Sequence, residues 1–328
     1  MRAPEFWQHD GIAARLLAPL GALYDLAGLL RARFARPARV AAPVICVGNL
    51  TAGGTGKTPT AIAIARHLAA RGRRPAFLSR GHGGRLRGPV RVDPDRHDAA
   101  DVGDEPLLLA RVAPTFVARR RDAAARAAIA AGADVLVMDD GLQNPSLAKD
   151  LRIVVVDGAT GFGNGHVLPA GPLRVGATRG IAAADLFVMM GEDRTGLRAR
   201  LAARAPVVDA SLEPDGDAAA AFAGRRVAAF AGIGRPEKFF ATLERCGAVL
   251  VARAPFPDHH RFAAAELQRL ADMARDADAT LATTAKDAVR LPASMRAQVM
   301  VLPVRAVFAP SWRTRCSTSC TTFLRVPV

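Results

Sequence analysis

The chain has 328 residues, half of them hydrophobic, and a formal charge of +15, enough apolar material for two ordinary domains. Arginine carries almost all the positive charge, with lysine only at Lys57, Lys149, Lys238 and Lys286, and aromatic residues are 5% of the chain, too few to build stacking platforms for single strands. A nucleic-acid partner is therefore set aside, and the basic balance is read as fitting an anionic membrane surface or a phosphorylated substrate.

The first element expected is a helix in "GIAARLLAPLGALYDLAGLL", residues 11–30. Leu16, Leu20, Leu23, Leu26, Leu30 and Phe34 recur at helical spacing, and Arg15, Arg31, Arg33, Arg36 and Arg39 flank them. The run is about as long as a membrane span, but Arg15, Pro19 and Asp25 interrupt it. An amphipathic helix lying on a membrane and a helix packed on its own domain fit equally well; a spanning helix fits least.

From Pro43 onward, short apolar runs alternate with helical patterns. "PVICVGNL", "RPAFLSRG", "PTFVARR", "DVLVMDDGLQ", "LRIVVVDG" and "ADLFVMMG" read as strands, with helices in "TPTAIAIARHLAARG", "DEPLLLARVA" and "RDAAARAAIAAGA". Continuous apolar strands between helices predict an α/β fold whose mostly parallel sheet has helices on both faces. "SLEPDGDAAAAFAG", residues 211–224, reads as a linker to a smaller α/β lobe with the same alternation. The expected domains are an N-terminal helical region at 1–40, a first domain at 41–215, a second lobe at 216–308 and an irregular tail at 309–328 that reads as out of frame. The cleft between two lobes is a usual place for a small-molecule site. Of the four cysteines, Cys46 reads as a core residue, and Cys246, Cys316 and Cys320 show no zinc spacing; the chain reads as reduced and cytosolic.

"GNLTAGGTGKTPT" joins a strand to a helix. Gly53, Gly54 and Gly56 allow backbone N–H groups to turn inward around phosphate oxygens. Lys57 is spaced to reach the β and γ phosphates, and the Thr58 hydroxyl to hold Mg²⁺. Thr51 stands where the phosphate-loop pattern has its first glycine, a departure acceptable if the loop's entry needs no positive φ.

Asp139 and Asp140 end an apolar strand, where carboxylates of a parallel sheet face the phosphate loop and can hold a metal. In "VGDEP", Asp104 reads equally as a helix N-cap or as a general base, with Glu105 beside it. In "FPDHH", Asp258 and His259 read equally as a cap with a solvated ring or as a pair set for proton transfer. Arg80 in "SRGHGG" and Arg174 in "GNGHVLPAGPLR" are candidate phosphate clamps. Lys286 and Asp287 in "TTAKDAVRL" are expected near a nucleotide base or in a surface ion pair.

In this order, "GNLTAGGTGKTP", "SRGHGG", "VGDEP", "DDGLQ", "FGNGHVLPAGPLR", "AGIG", "FPDHH" and "TTAKDAV" resemble the tetraacyldisaccharide 4'-kinase family, the lipid A 4'-kinases of Gram-negative bacteria. The resemblance runs from about residue 44 to residue 290. It implies a two-lobed P-loop NTPase-like kinase that moves the γ-phosphate of MgATP to the 4'-hydroxyl of a tetraacylated glucosamine disaccharide 1-phosphate. It implies that Thr51, Ala52, Gly53, Gly54, Thr55, Gly56, Lys57 and Thr58 bind ATP. Thr58, Glu105, Asp139 and Asp140 are then the metal-site residues. Asp104, helped by His259 and Asp258, becomes the base, and Lys57 a catalytic cation. Asn49, Arg80, Gln143 and Arg174 fall on the substrate side. The implied partners are the lipid A disaccharide precursor and the inner-membrane surface, met from the cytoplasmic face as a peripheral or monotopic protein, with no obligate protein partner indicated. Three residues depart from the family pattern: His82 where Tyr is common, Asn144 where His is common, and Val175 where Glu is usual.

Overall fold

A computed structural model describes residues 4–310; the tail from residue 311, including Cys316 and Cys320, lies outside the described residues. After a short 3-10 turn come α1 (Ile12–Phe34), β1 (Val44–Gly48), α2 (Lys57–Ala69), β2 (Pro75–Ser79) and β3 (Val90–Arg91). They are followed by α3 (Ala99–Val102), α4 (Asp104–Ala110), β4 (Thr115–Val117), α5 (Arg121–Ala130), β5 (Val135–Asp139) and β6 (Leu151–Asp157). Then come α6 (Ala177–Ala182), β7 (Leu186–Met190), α7 (Leu197–Ala202) and β8 (Val207–Pro214). The second lobe holds α8 (Gly216–Ala220), β9 (Arg226–Ala231), α9 (Pro236–Arg245), β10 (Val249–Pro255), α10 (Ala264–Asp276), β11 (Thr280–Thr284), α11 (Ala285–Ala288), α12 (Ala293–Arg296) and β12 (Met300–Leu302); β13 (Val304–Phe308) follows.

Nine strands form the first sheet in the order β13-β8-β7-β6-β1-β5-β2-β4-β3. It is parallel except at its two edges, where β13 runs antiparallel to β8 and β3 to β4. Side chains alternate across a strand, so β1 sends Ile45 and Val47 to one face and Val44 and Cys46 to the other. Ile64, Ala65 and Leu68 of α2 cover the first face, and Ala124, Ala125 and Ala128 of α5 the second. This two-faced burial is why the strands read as unbroken apolar runs.

The second lobe is a parallel sheet ordered β10-β9-β11-β12. Phe230 is fully buried at its centre and meets Phe262 edge to face, with ring centroids 5.4 Å apart. Phe230→Ala is expected to cost about 3–5 kcal/mol, the range for emptying a core aromatic site. Urea unfolding of the variant checks this, and a loss below about 1 kcal/mol would contradict the packing.

Two boundaries differ from the sequence reading. Ser211–Pro214 belongs to β8 rather than to a linker, and Val304–Phe308 returns to the first sheet rather than closing the second lobe. The reason is long-range pairing: Arg305 stands opposite Glu213 in the antiparallel register, a favourable cross-strand charge pair between segments about ninety residues apart in the chain. The chain thus crosses between lobes at Asp215 and again at Pro303, where the Asp215 N–H donates to the Pro303 carbonyl at 2.9 Å.

The N-terminal helix docks by small and polar residues. Ala14 and Gly21 are its buried positions, and a Cβ on Gly21 would stand 2.7 Å from the Val167 carbonyl oxygen. Asp25 accepts the Gly176 N–H and pairs with Arg179, while Arg31 donates to the Gln143 carbonyl. Ile12, Leu16, Leu20, Leu23, Tyr24, Leu26, Leu29, Leu30 and Phe34 all point to solvent, Leu16 with 75% of its surface exposed. Of the two equal expectations, packing on the domain's own core through the leucine stripe is not what the fold does. α1 is long and apolar enough to cross a membrane by length and composition, and it stands alone in this among the described residues.

Candidate active site

The C-terminal end of β1 opens into the loop Asn49–Gly56, and α2 begins at Lys57. Gly53 and Gly56 have φ of 117° and 87°, a region closed to most side chains. Thr51 lies in an extended bridge with Leu173, Ala52 N–H donates to the Pro172 carbonyl, and Arg174 N–H donates to Leu50. The loop's first arm is therefore zipped to the Gly/Pro-rich segment, in a conformation that suits threonine.

Lys57 is buried. Its ammonium donates to Asn49 Oδ1 at 3.2 Å and lies 3.5 Å from Asp140. Thr58 Oγ1 donates to Asp139 Oδ2 at 2.9 Å. Asp139 is almost wholly buried, and its other oxygen, Oδ1, has no hydrogen-bond partner. Burial and the neighbouring Glu105 and Asp140 carboxylates push its carboxyl well above the ordinary range, against the pull of Lys57 and Thr58. A cation would relieve both the desolvation and the repulsion. Burial raises Asp140 too, but Lys57 and Arg174, one of whose terminal nitrogens donates to both Asp140 oxygens at 2.9 and 3.0 Å, outweigh it and hold that carboxyl low. Among the described residues, no three His, Cys, Asp or Glu side chains converge on one metal position. The donor set instead suits an ion held by one or two carboxylates, a hydroxyl and ligand phosphates, the usual mode for magnesium.

The second lobe brings its loops against this face. His259 Nδ1 lies 3.0 Å from Asp104 Oδ2, across the cleft. His259 is 3.9 Å from its sequence neighbour Asp258, so the working pair joins two lobes rather than two adjacent residues. The physical reason is backbone: His259 has φ of 57°, which turns its ring away from Asp258, while Asp258 Oδ1 accepts the His259 N–H. Asp104 is the first residue of α4, after Gly103 at the cap position, and α10 begins only at Ala264. Neither Asp104 nor Asp258 is therefore a helix N-cap. Burial pushes the Asp104 carboxyl up, but the His259 hydrogen bond and the Lys286, His259 and Arg290 charges overcome this and hold it at about 2.

Lys286 follows β11, and its ion pairs are half-buried rather than on the surface. Its ammonium lies 3.1 Å from His259 Nε2 and 3.6 Å from both Glu105 and Asp258, within the acid cluster. Gln143 reaches the loop by donating from Nε2 to the Asn49 carbonyl at 3.0 Å. Arg80 is exposed and makes no ion pair among the described residues. Val175 packs partly buried against the apolar cluster around Leu173 and Phe187.

Two groups escaped sequence reasoning. Arg290 is 6% exposed, pairs with the fully buried Asp287 at 2.7 Å and stands 3.7 Å from Asp104; the three-residue spacing within "KDAVR" was the available signal. Arg235 and Lys238 of the second lobe both pair with buried Asp157 at the end of β6, and Arg235 also reaches the Gly54 carbonyl at 3.5 Å. No local pattern marks that contact.

The family model described as tetraacyldisaccharide-1-P 4'-kinase matches residues 13–320. A protein of Rhodospirillum rubrum named tetraacyldisaccharide 4'-kinase is 56% identical over 94% of this chain and 94% of its own length. One of the same name from Paramagnetospirillum magneticum is 55% identical over 93% of this chain and 94% of its own. Among solved structures, LpxK from Aquifex aeolicus in complex with ATP superposes with a TM-score of 0.74 at 24% identity, covering 95% of this chain and 99% of that one.

Proposed function

Since the chain belongs to the tetraacyldisaccharide-1-P 4'-kinase family, we propose that the cleft transfers the γ-phosphate of MgATP to the 4'-hydroxyl of a tetraacylated glucosamine disaccharide 1-phosphate, a step of lipid A biosynthesis. The observation that carries this reading is the Asp104–His259 contact from the second lobe beside a phosphate loop whose Lys57 and Thr58 face Asp139 and Asp140. A phosphate loop alone marks a nucleotide site; a carboxylate held by a partner lobe supplies the acceptor's proton sink.

In this reading, the loop N–H groups of Gly53 to Lys57 and the start of α2 cradle the β and γ phosphates. Lys57 neutralises charge developing on the transferred group. Magnesium bound with the nucleotide through Thr58 and Asp139, with Asp140 and Glu105 nearby, would spread the charge of the phosphate oxygens. Asp104 accepts the proton of the 4'-hydroxyl as that oxygen bonds to the γ-phosphorus, while the bond to the β,γ-bridging oxygen breaks and ADP leaves with the electron pair. A carboxylate held near 2 is a weak base. It suffices where the transition state is loose and the hydroxyl proton moves late. Arg174, beside Asp140 and the loop's entry, is placed to meet phosphate oxygens bidentately. Incubation of the protein with radiolabelled ATP and the lipid disaccharide, followed by thin-layer separation, tests the assignment. A labelled lipid is expected, and ATP hydrolysis with no lipid label would remove it.

The acceptor is a lipid, and the exposed apolar arc of α1 with Arg15, Arg31 and Arg33 suits the surface of an anionic bilayer on the cytoplasmic face. The double substitution Leu16→Glu and Leu23→Glu changes only exposed side chains. It is expected to abolish flotation with anionic liposomes and to raise KM for the lipid about tenfold or more, with KM for ATP unchanged. Flotation equal to that of the unaltered chain would exclude α1 as the membrane contact.

A further inference from the structure

The docked side of α1 is joined to the Gly-rich loop after β1 by two hydrogen-bonded routes. On the first, Arg31 Nη2 donates to the Gln143 carbonyl at 2.9 Å, and Gln143 Nε2 donates to the Asn49 carbonyl at 3.0 Å. Asn49 is buried; it accepts from Lys57 on Oδ1 and donates from Nδ2 to the Gly53 carbonyl at 3.3 Å. On the second, Asp25 accepts the Gly176 N–H at 2.9 Å and pairs with Arg179. Gly176 closes the segment 163–176, which is bonded in turn to the loop: Ala52 N–H donates to Pro172 and Arg174 N–H donates to Leu50, each at 2.7 Å. Both routes end on the loop's entry arm, residues 49–52.

The tip beyond that arm has little else to hold it. A Cβ on Gly53 or Gly54 would meet nothing within 4 Å, so no packing fixes these two glycines. Glycines lose the most conformational freedom on ordering. A row of N–H groups binds phosphate well only when its arrangement is already set before the ligand arrives. The setting must come from the two ends of the loop: α2 at one, the arm fastened to α1 at the other.

We propose that α1 has a task besides the membrane contact above: Asp25 and Arg31 are positioning residues that hold the entry arm ready for the nucleotide, so that ATP binding and the docking of α1 are coupled. The two tasks use different sides of one helix. Ala14, Gly21 and Asp25, spaced seven and four residues apart, face the protein, while the leucine stripe faces solvent. The inference rests on the reading of this loop as the nucleotide site and names what sets its geometry.

The full chain in detergent without lipid, titrated with the fluorescent nucleotide mant-ATP and Mg²⁺, tests it. The double substitution Asp25→Ala and Arg31→Met cuts both routes at α1 and leaves every leucine of the exposed stripe in place. The dissociation constant of mant-ATP is expected to rise about tenfold, the scale for losing hydrogen bonds with a charged partner, while flotation with anionic liposomes is retained. Arg31→Met alone is expected to raise it about threefold, and Arg31→Lys, which keeps a charged donor, to recover most of that loss. Coupling is reciprocal, so saturating mant-ATP is expected to slow amide hydrogen exchange across residues 21–31 of the unaltered protein by up to about tenfold. An unchanged dissociation constant in the double variant overturns the proposal. So does a loss in Arg31→Met that Arg31→Lys shares in full, or exchange in α1 that ignores the nucleotide. The exchange measurement decides the matter even where the double variant does not fold. Failure of the unaltered protein to bind mant-ATP at all would remove the nucleotide reading itself, a result separate from these.

Discussion

Asp104→Ala is expected to lower turnover by about 10²–10⁴-fold, the contribution of a positioned general base, while ATP affinity changes little. The asymmetry follows from placement. Asp104 sits at the first turn of α4, 95% buried, and its contacts are His259, Arg290 and the Glu105 N–H rather than the phosphate loop. Steady-state kinetics at saturating lipid, with a separate titration of a non-hydrolysable ATP analogue, check the split. Normal turnover with weakened MgATP binding would move Asp104 from the base to the metal site. The pH dependence carries a sign. Because this carboxyl is held at about 2, below its ordinary value of 3.8, the stability it contributes is present above about pH 4 and lost as the pH falls toward 2. The share from His259, whose pKa its bond to Asp104 raises, is lost instead as the pH rises through that raised pKa. An acid limb in kcat near neutrality is therefore not expected from Asp104, and Asp104→Asn is expected to flatten the acid loss of stability between pH 4 and 2.

Lys57→Ala is expected to reduce phosphoryl transfer by about 10³-fold or more, the scale for removing a preorganised charge from a buried site. The ammonium is buried beside Asn49 and Asp140, and it is one of the forces restraining the already destabilised Asp139 carboxylate. Its loss therefore removes the proposed phosphate ligand and also leaves two adjacent acids less compensated. Transfer assays over an ATP range test this, and full activity in the variant would deprive the loop of its assigned role. Lys57→Arg is expected to rescue poorly, because the buried space is shaped for a compact ammonium rather than a planar fork.

The glycine-rich strand-to-helix loop was legible because its physics is local. Glycines at fixed offsets, a lysine and a threonine at the head of a helix need only a strand before them, and that strand announces itself by five consecutive buried residues. The Asp139–Asp140 pair was legible for the same reason. Thr51 looked irregular in sequence, and its extended bridge to Leu173 explains it through a segment more than a hundred residues away. The Asp258–His259 pair read from adjacency is loose, at 3.9 Å, because neighbours in the chain are not always neighbours in space. His259 finds its strong partner in Asp104, 155 positions upstream.

By itself, the sequence determined the α/β alternation, the glycine-rich strand-to-helix loop, the acid-ended strand and the long apolar helix at the N-terminus, since each is set by spacing within one element. Only the tertiary structure decided the rest. It sent β13 back to the first sheet, left the leucine face of α1 open by docking the helix through Gly21 and Asp25, and placed His259 and Arg290 on Asp104 and Lys286 on His259. Those outcomes are governed by strand pairing and by desolvated charges seeking partners across a cleft, and such partners are chosen by distance in space, which spacing along a chain does not encode.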